Sequence, residues 1–403
     1  MRPMPELLSI EEALARVLAR ARPLGSERAP IAAAAGRVLA EDAAARVDLP
    51  PFASSAMDGY ALRAADTPGS LPVVFRIAAG RPAERALAAG EAMAISTGGA
   101  VPAGADTVVP IEIVVEQDNT LQVPDAAAAA SHVRPAGGDV RAGETVLVAG
   151  TRIGAPQVGA LAAAGIDMVA VGRRPRVVVL STGTELRAPG ERLGPGQIFE
   201  SNGAMLAAAF EAAGAVVERA GPVPDDEDEH RRALEHGLAA DVLVSSGGVS
   251  VGPHDLVRRI LGELGVEEDF WGVAVRPGKP LAFGARGSTL VFGLPGNPVS
   301  SLVSVELFVR PALLALQGAA APGPHYELAR LASPLRRNAA RDELARARMR
   351  RDEQGTVLEP LSGQESHMIA RAASADALVL VPAGAGELEA GTVARYLRLG
   401  YSS

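Results

Sequence analysis

The chain has 403 residues, 48% hydrophobic but only 3% aromatic, enough for roughly two to four domains with cores built from Ala, Val and Leu. A formal net charge of −8 argues against whole-surface binding to nucleic acid or to an anionic membrane, so an anionic ligand would need a local basic pocket. Cysteine is absent, which excludes disulfides, thiolate zinc sites, cysteine-held iron–sulfur clusters and a cysteine nucleophile.

The N-terminal stretch MRPMPELLSIEEAL has no apolar signal core. The apolar run around Val158–Val171 is interrupted by Asp167 and is too short to span a bilayer. The expectation is a soluble, cytoplasmic protein with no membrane and no nucleic-acid partner.

Ser9-x-x-Glu12 is a capping-box pattern that opens a helix, with Leu14, Val17, Leu18 and Ala21 on one face and Arg22-Pro23 ending it. Ile31–Asp42 reads equally as a short strand or a helix. In Asp48–Leu62 (DLPPFASSAMDGYAL) the pair Pro50-Pro51 forbids regular structure, and Ser54, Ser55, Asp58 and Gly59 read as an irregular loop. A functional loop and a hairpin turn at Asp58-Gly59 carry equal weight there. From Leu71 to about Val133, short strands separated by Gly and Pro form a β-rich module, with small-residue loops at Ser96–Ala100 and Pro102–Asp106. Glu144–Val148 and Asp167–Val171 read as strands around a helix at Ala155–Ala164. If they return to the N-terminal helix, the β module is an insertion.

After the linker Arg173-Arg174-Pro175 the rhythm becomes strand–helix. Strands are expected at Val177–Leu180, Ala215–Ala220, Val242–Val244, Pro280–Phe283 and Leu290–Phe292. Helices are expected at Asn202–Ala213, from the capping pair Asp225-Asp226 to about His236, at Leu256–Leu264 and at Val299–Leu316. This predicts a central three-layer α/β domain with a mostly parallel sheet, whose ligands bind outside the carboxyl ends of the strands. The loops Thr182–Glu185, Ser245–Asp255 and Leu294–Pro298 all follow strands and can share that edge. Beyond a second linker, Gly318–Pro324, the runs GTVLEPL, ALVLVPA and TVARYLRL read as a small all-β domain.

Four groups of residues can carry chemistry. The Gly/Ser loop Ser245, Ser246, Gly247, Gly248 presents backbone N–H groups between a strand and a helix. Arg276-Pro277-Gly278-Lys279-Pro280 fixes two cations on a proline-stiffened turn, which suits a small tetrahedral oxyanion, with a solvated turn as the bland alternative. LPGNPVS places Pro298 where a helix begins and N–H groups are free. Asp58, Glu185, Asp225 and Asp255 start loops or helices and could hold Mg2+, although N-capping explains Asp225 and Asp255 taken singly. The six histidines show no metal-ligand spacing.

The pieces AAGRVLAED, PPFASSAMDGYAL, STGGAVPAGADTVVPIE, RPAGGDVRAGE, RRPRVVVLSTGTEL, SNGAML, SSGGVSVGPHDLV, RPGKPLAFG, FGLPGNPVSSLV and SGQESHMIA run in order over nearly the whole chain. In them the chain resembles the molybdopterin molybdenumtransferases, the bacterial MoeA proteins and the E domain of gephyrin-type proteins. The resemblance implies the insertion of molybdate into the dithiolene of adenylylated molybdopterin, with Mg2+-dependent release of AMP. It implies Mg2+ as cofactor, a homodimer with sites near the subunit boundary, and a molybdopterin adenylyltransferase as a further partner. It also implies four domains: 1–46 plus 137–173 as a split N-terminal α+β domain, 47–136 as an inserted β-rich domain, 174–318 as the α/β domain, and 319–403 as a C-terminal β-barrel-like domain.

Carried over by motif, Asp58, Thr97, Glu185, Asp225, Asp255 and Lys279 would be catalytic, and Glu185, Asp225 and Asp255 would hold Mg2+. Substrate would meet Gly183, Asn202, Ser246, Gly247, Gly248, Ser250, Arg276, Pro295, Gly296, Asn297 and Pro298, with Arg346 and Ser366 helping to bind the oxyanion. Three positions depart from the family pattern. Trp271 is followed by Gly272 instead of a basic residue, Thr184 stands where an acidic residue is common, and Glu365 replaces a usual Gly. The expected consequences are a less positive oxyanion site, one Mg2+ ligand fewer, and a carboxylate opposing anion binding at Ser366. An adenylyltransferase, whose fold resembles the α/β domain alone, would lack the flanking domains, and a scaffold would call for a fused domain or long linker. Tungstate is an alternative oxyanion of nearly the same size and charge.

Overall fold

The computed structural model describes residues 7–247 and 256–400. The readings of Gly248, Ser250 and Asp255 lie outside the described residues.

The strand Ser26–Pro30 pairs antiparallel with Met168–Gly172, and Ala43–Ala44 pairs with Thr145–Leu147. Ala29, Leu39, Ile153, Leu161, Ile166 and Val171 thus share one small core drawn from both sides of the β module. Ile31–Asp42 forms no long element: it holds one turn of tight helix at Ile31–Ala33 and isolated bridges from Val38 and Leu39. The N-terminal helix Ile10–Arg20, closed by the Ser9/Glu12 capping box, does not join that core. Its face Ile10, Ala13 and Val17 packs on the helical segment Val305–Leu316 instead. That segment buries Val305, Leu307, Phe308, Val309, Ala312 and Leu313 around its whole circumference, so the side away from the sheet needs an apolar cover.

The β module is a six-stranded sheet in the order Thr107–Pro110, Gly59–Leu62, Ala92–Ile95, Gly69–Ile77, Thr120–Val123, Val115–Gln117. Asp58-Gly59 is not a hairpin turn. Gly59 opens an inner strand whose four residues are buried, and a Cβ there would lie 2.1 Å from the Val109 carbonyl oxygen. The glycine serves close backbone approach, not a turn. The hairpin turn of the module is Asp118-Asn119, both with positive φ (52° and 57°), between Val115–Gln117 and Thr120–Val123.

The central sheet runs Val216–Val223, Arg176–Thr182, Val242–Ser246, Thr289–Leu294, Ala282–Arg286, Glu267–Trp271. The first four strands are parallel; Ala282–Arg286 forms an antiparallel hairpin with Thr289–Leu294, and the edge strand Glu267–Trp271 pairs antiparallel to Ala282–Arg286. Val177, Val179, Val242 and Val244 face Leu206, Phe210 and Val303 on one side. Val178, Leu180 and Leu243 face Leu234, Val257 and Ile260 on the other, which makes the three layers. The long helix expected at Val299–Leu316 is interrupted by a wider turn at Val305–Val309. Its length and apolarity would suffice to cross a membrane, but 89% of it is buried inside the fold.

In the C-terminal unit, Asp342–Asp352, Gly355–Pro360, Tyr326–Leu331, Val393–Arg398 and Ala377–Val381 close into a five-stranded barrel, because Ala377–Val381 pairs back with Asp342–Asp352. The unit is not purely β; a short helix, Ile369–Ala372, packs outside the barrel against the helix Pro298–Ser304. A two-residue strand, Val275-Arg276, adds in parallel to the start of Asp342–Asp352 and ties the barrel to the α/β unit.

Candidate functional site

The three inner parallel strands end level. Ser181 lies beside Ser246, and Ser246 beside Leu294. Beyond these ends opens a cleft of about 940 Å³. Thr182, Gly183 and Glu185, then Asn202, then Asp225, then Ser246 and Gly247, then Gly296, Asn297 and Pro298 all line it. The described parts of the three loops read as sharing one edge do so.

Asn202 binds them together. Its Nδ2 donates to Ser246 Oγ at 2.8 Å and to the Gly296 carbonyl at 2.7 Å, while its Oδ1 is buried with no partner among the described residues. A buried amide oxygen without a donor is costly, and it marks a place for a ligand or water hydrogen. Gly247 has φ 95°, and Gly183 has φ 146° with the Glu185 carboxylate so close that a Cβ would lie 2.5 Å from it. Both glycines are therefore required by the backbone. Pro295 does not line the cleft; its carbonyl accepts from Ser301 Oγ at 2.6 Å and shapes the turn.

The two acids of Asp225-Asp226 divide their work. Asp226 is the N-cap of Glu227–Gly237, accepting from the Glu229 N–H at 3.0 Å. Asp225 is left to the cleft, where one oxygen accepts from Thr184 Oγ1 at 3.2 Å. Thr184, which departs from the acidic family pattern, thus orients Asp225 instead of adding a carboxylate. Among the described residues no group of three or more His, Cys, Asp or Glu converges on a metal site.

Arg276 and Lys279 do not line this cleft. Their turn packs on the opening of the next helix: Gly278, with φ 117°, has its Cβ position 3.4 Å from Ser304 Oγ and 3.5 Å from the Ser300 carbonyl. Arg276 is exposed and meets Glu343 at 3.4 Å, while Lys279 is half-buried. Burial pushes the Glu343 carboxyl up, and Arg276 pulls it the other way. Gly272 owes its identity to the backbone, with φ 92° and a Cβ position only 2.7 Å from Leu7 Cδ2. Of the 39 basic residues, Lys279 is the only lysine. A chain that uses arginine everywhere else keeps a compact ammonium at this one turn, a signal that reading the motif alone passes over.

The C-terminal unit reaches the same helix start. Ser366 Oγ accepts from Asn297 Nδ2 at 3.0 Å, and the Ser366 carbonyl takes the Val299 N–H at 3.1 Å, one of the N–H groups that LPGNP was read as leaving free. Arg346 departs from its expected role. It is 1% exposed, and its guanidinium donates to the carbonyls of Gly363, Glu365 and Met368. A guanidinium with those donors spent positions the Ser366 loop; it does not face an incoming anion. Its charge is also coupled electrostatically to the Glu365 carboxylate. Burial pushes the Arg346 pKa down.

Asp58 and Thr97 meet each other in the β module. One Asp58 oxygen accepts from the Thr97 N–H at 2.7 Å and from its Oγ1 at 3.1 Å. The pair is exposed and does not line the cleft of its own chain. Several cleft residues carried no sequence signal: Phe199, Ile198, Arg259, His367, the buried His230, and Glu200. Glu200 is 3% exposed, accepts from the Gly203 N–H at 2.5 Å and pairs with Arg219 at 3.2 Å.

Comparison with known proteins assigns this architecture. The profile described as MoeA N-terminal region (domain I and II) matches residues 8–165, that of a probable molybdopterin binding domain matches 178–315, and that of the MoeA C-terminal region (domain IV) matches 328–399. Molybdopterin molybdenumtransferase 2 of Mycobacterium tuberculosis is 37% identical over 397 residues, covering 95% of this chain and 96% of the relative. The molybdopterin molybdenumtransferase of Haemophilus influenzae is 32% identical, covering 96% and 97%. A MoeA protein structure from Pyrococcus horikoshii superposes with a TM-score of 0.83 at 28% identity, over 98% of this chain and 100% of that one. The chain belongs to the molybdopterin molybdenumtransferase family, the MoeA proteins, and is a transferase of molybdenum cofactor biosynthesis.

Proposed function

We propose that this protein inserts molybdate into the dithiolene of adenylylated molybdopterin, with the phosphoanhydride cleaved and AMP released, in the cytoplasm and with Mg2+ required. The observation that carries the reading is the placement of two unlike sites about one helix start. A large cleft holding the Glu185 and Asp225 carboxylates and glycine turns opens on one side, and the Arg276–Lys279 turn packs on the following turns of the same helix. The first suits a nucleotide-linked substrate, the second a small oxyanion.

Mg2+ fits the donor set. It is commonly held by one or two carboxylates with substrate phosphates and waters, so Glu185 and Asp225 suffice without a third acid. When bound, it would neutralise charge on the anhydride phosphates. Asn202 and the Gly183 and Gly247 turns would hold the ligand close to the backbone. Lys279 and Arg276 would hold molybdate, and Ser366 would add a hydroxyl at the helix start. Because the Asp58–Thr97 pair is exposed and away from its own cleft, a homodimer in which it completes the partner's site accounts for its position. A molybdopterin adenylyltransferase would hand over the substrate.

The test is incubation with adenylylated molybdopterin, Mg2+ and molybdate or tungstate, following AMP and cofactor. AMP release that requires both the oxyanion and Mg2+ is expected. Oxyanion-independent release, or none, would contradict the reading.

A further inference from the structure

Aromatic side chains are scarce in this protein: eight Phe, four Tyr and one Trp. Nearly all those described lie in cores; Phe52 and Phe199 are the exposed ones among the described residues, at 47% and 44%. Phe199 lines the large cleft, and Ile198, Leu186 and Ile369 line it too. The cleft therefore has an apolar side as well as its carboxylate and glycine side.

The exposure is imposed by the backbone. Leu186-Arg187 and Ile198-Phe199 form a two-stranded parallel ribbon. The Ile198 N–H donates to the Glu185 carbonyl at 3.0 Å, and the Glu200 N–H donates to the Arg187 carbonyl at 2.8 Å. The next side chain, Glu200, is buried and clasped by Arg219 and the Gly203 N–H. Bonds on both sides thus hold Phe199 at the cleft, where its apolar ring stays in water. Leaving a large apolar side chain in water forgoes burial energy, and a flat ligand ring would recover it.

We propose that Phe199 is the platform on which a planar heteroaromatic ring of the ligand stacks, the phosphate end of that ligand lying toward Glu185 and Asp225. An aromatic face accepts any flat ring, so adenine and pterin are the two candidate sources. The inference rests on the proposed function for the identity of that ring and for the phosphate end facing Glu185 and Asp225.

The experiment titrates AMP, 6-hydroxymethylpterin phosphate and ring-free ribose 5-phosphate, each with Mg2+, into the full-length wild-type protein and into Phe199→Ala and Phe199→Tyr by calorimetry. In Phe199→Ala one ring-bearing ligand should weaken about tenfold or more, while ribose 5-phosphate is unchanged. Phe199→Tyr, which keeps the aromatic face, should restore the affinity. The ring that loses affinity identifies which end of the substrate lies there. Equal losses for ribose 5-phosphate, unchanged binding of both rings, or an altered oligomeric state with ring binding intact would overturn the inference. Wild-type protein that binds neither ring would overturn both this inference and the proposed function; ring binding insensitive to Phe199→Ala would overturn the inference alone.

Discussion

Two sites of opposite charge flank the helix that begins at Pro298. On one side Glu185 and Asp225 face a cleft of about 940 Å³. On the other, Arg276 and the sole lysine share a turn, and Glu343, 3.4 Å from Arg276, is pushed toward its neutral form by burial. A phosphate-bearing ligand entering the first needs a cation to accompany it, whereas an oxyanion entering the second meets fixed positive charge. The difference teaches that, under the proposed function, the two anionic substrates would be told apart by how their charge is balanced.

Substitutions should act on one side at a time. The largest effect is expected at Lys279. Lys279→Ala should lower molybdate-dependent AMP release about a hundredfold or more, with Mg2+ affinity unchanged, because a fixed charge at the reacting oxyanion is removed. Wild-type rates at low molybdate would break the assignment. Asp225→Asn should act in the opposite sense, raising the Mg2+ concentration for half-maximal rate about tenfold and leaving the KM for molybdate alone. A shift in the molybdate KM with no change in Mg2+ response would erase the distinction between the sites.

The smallest effect concerns Glu343. Its folded pKa is raised, so it takes up a proton as pH falls through that raised value, and its hold on Arg276 ends there. Oxyanion affinity should therefore improve by a few-fold, about a factor of three, as pH is lowered across this window. Glu343→Gln should show the higher affinity throughout and flatten the profile. Affinity that falls with pH in the wild-type protein would reverse the sign of this argument.

Much of the α/β unit was legible in sequence because strands buried on both faces, such as Val177–Leu180 and Val242–Val244, are continuous apolar runs ended by small residues. The antiparallel direction of Ala282–Arg286 was not, since an apolar run carries no direction. The site followed the same division. Glycines and acids at strand ends announced Gly183, Glu185 and Gly247. Which acid of Asp225-Asp226 caps the helix was decided by one residue of register, and the burial of Arg346 by a loop 17 to 22 residues further on. The sequence left a loop and a hairpin turn open at Asp58-Gly59 because a glycine needed for close strand approach looks the same in sequence as one needed for positive φ. Phe199 is invisible in sequence, since an isolated apolar residue in a polar stretch does not reveal that it lines a cleft.

The division between the two sites can be tested through the chain's own composition. With one lysine in the sequence, an amine-directed reagent labels the ε-amine of Lys279 apart from the chain's α-amine, and peptide mapping separates the two. The account predicts that molybdate slows labelling of Lys279 while AMP with Mg2+ leaves it unchanged, the α-amine serving as the internal standard. Protection of Lys279 by AMP with Mg2+ but not by molybdate would contradict it.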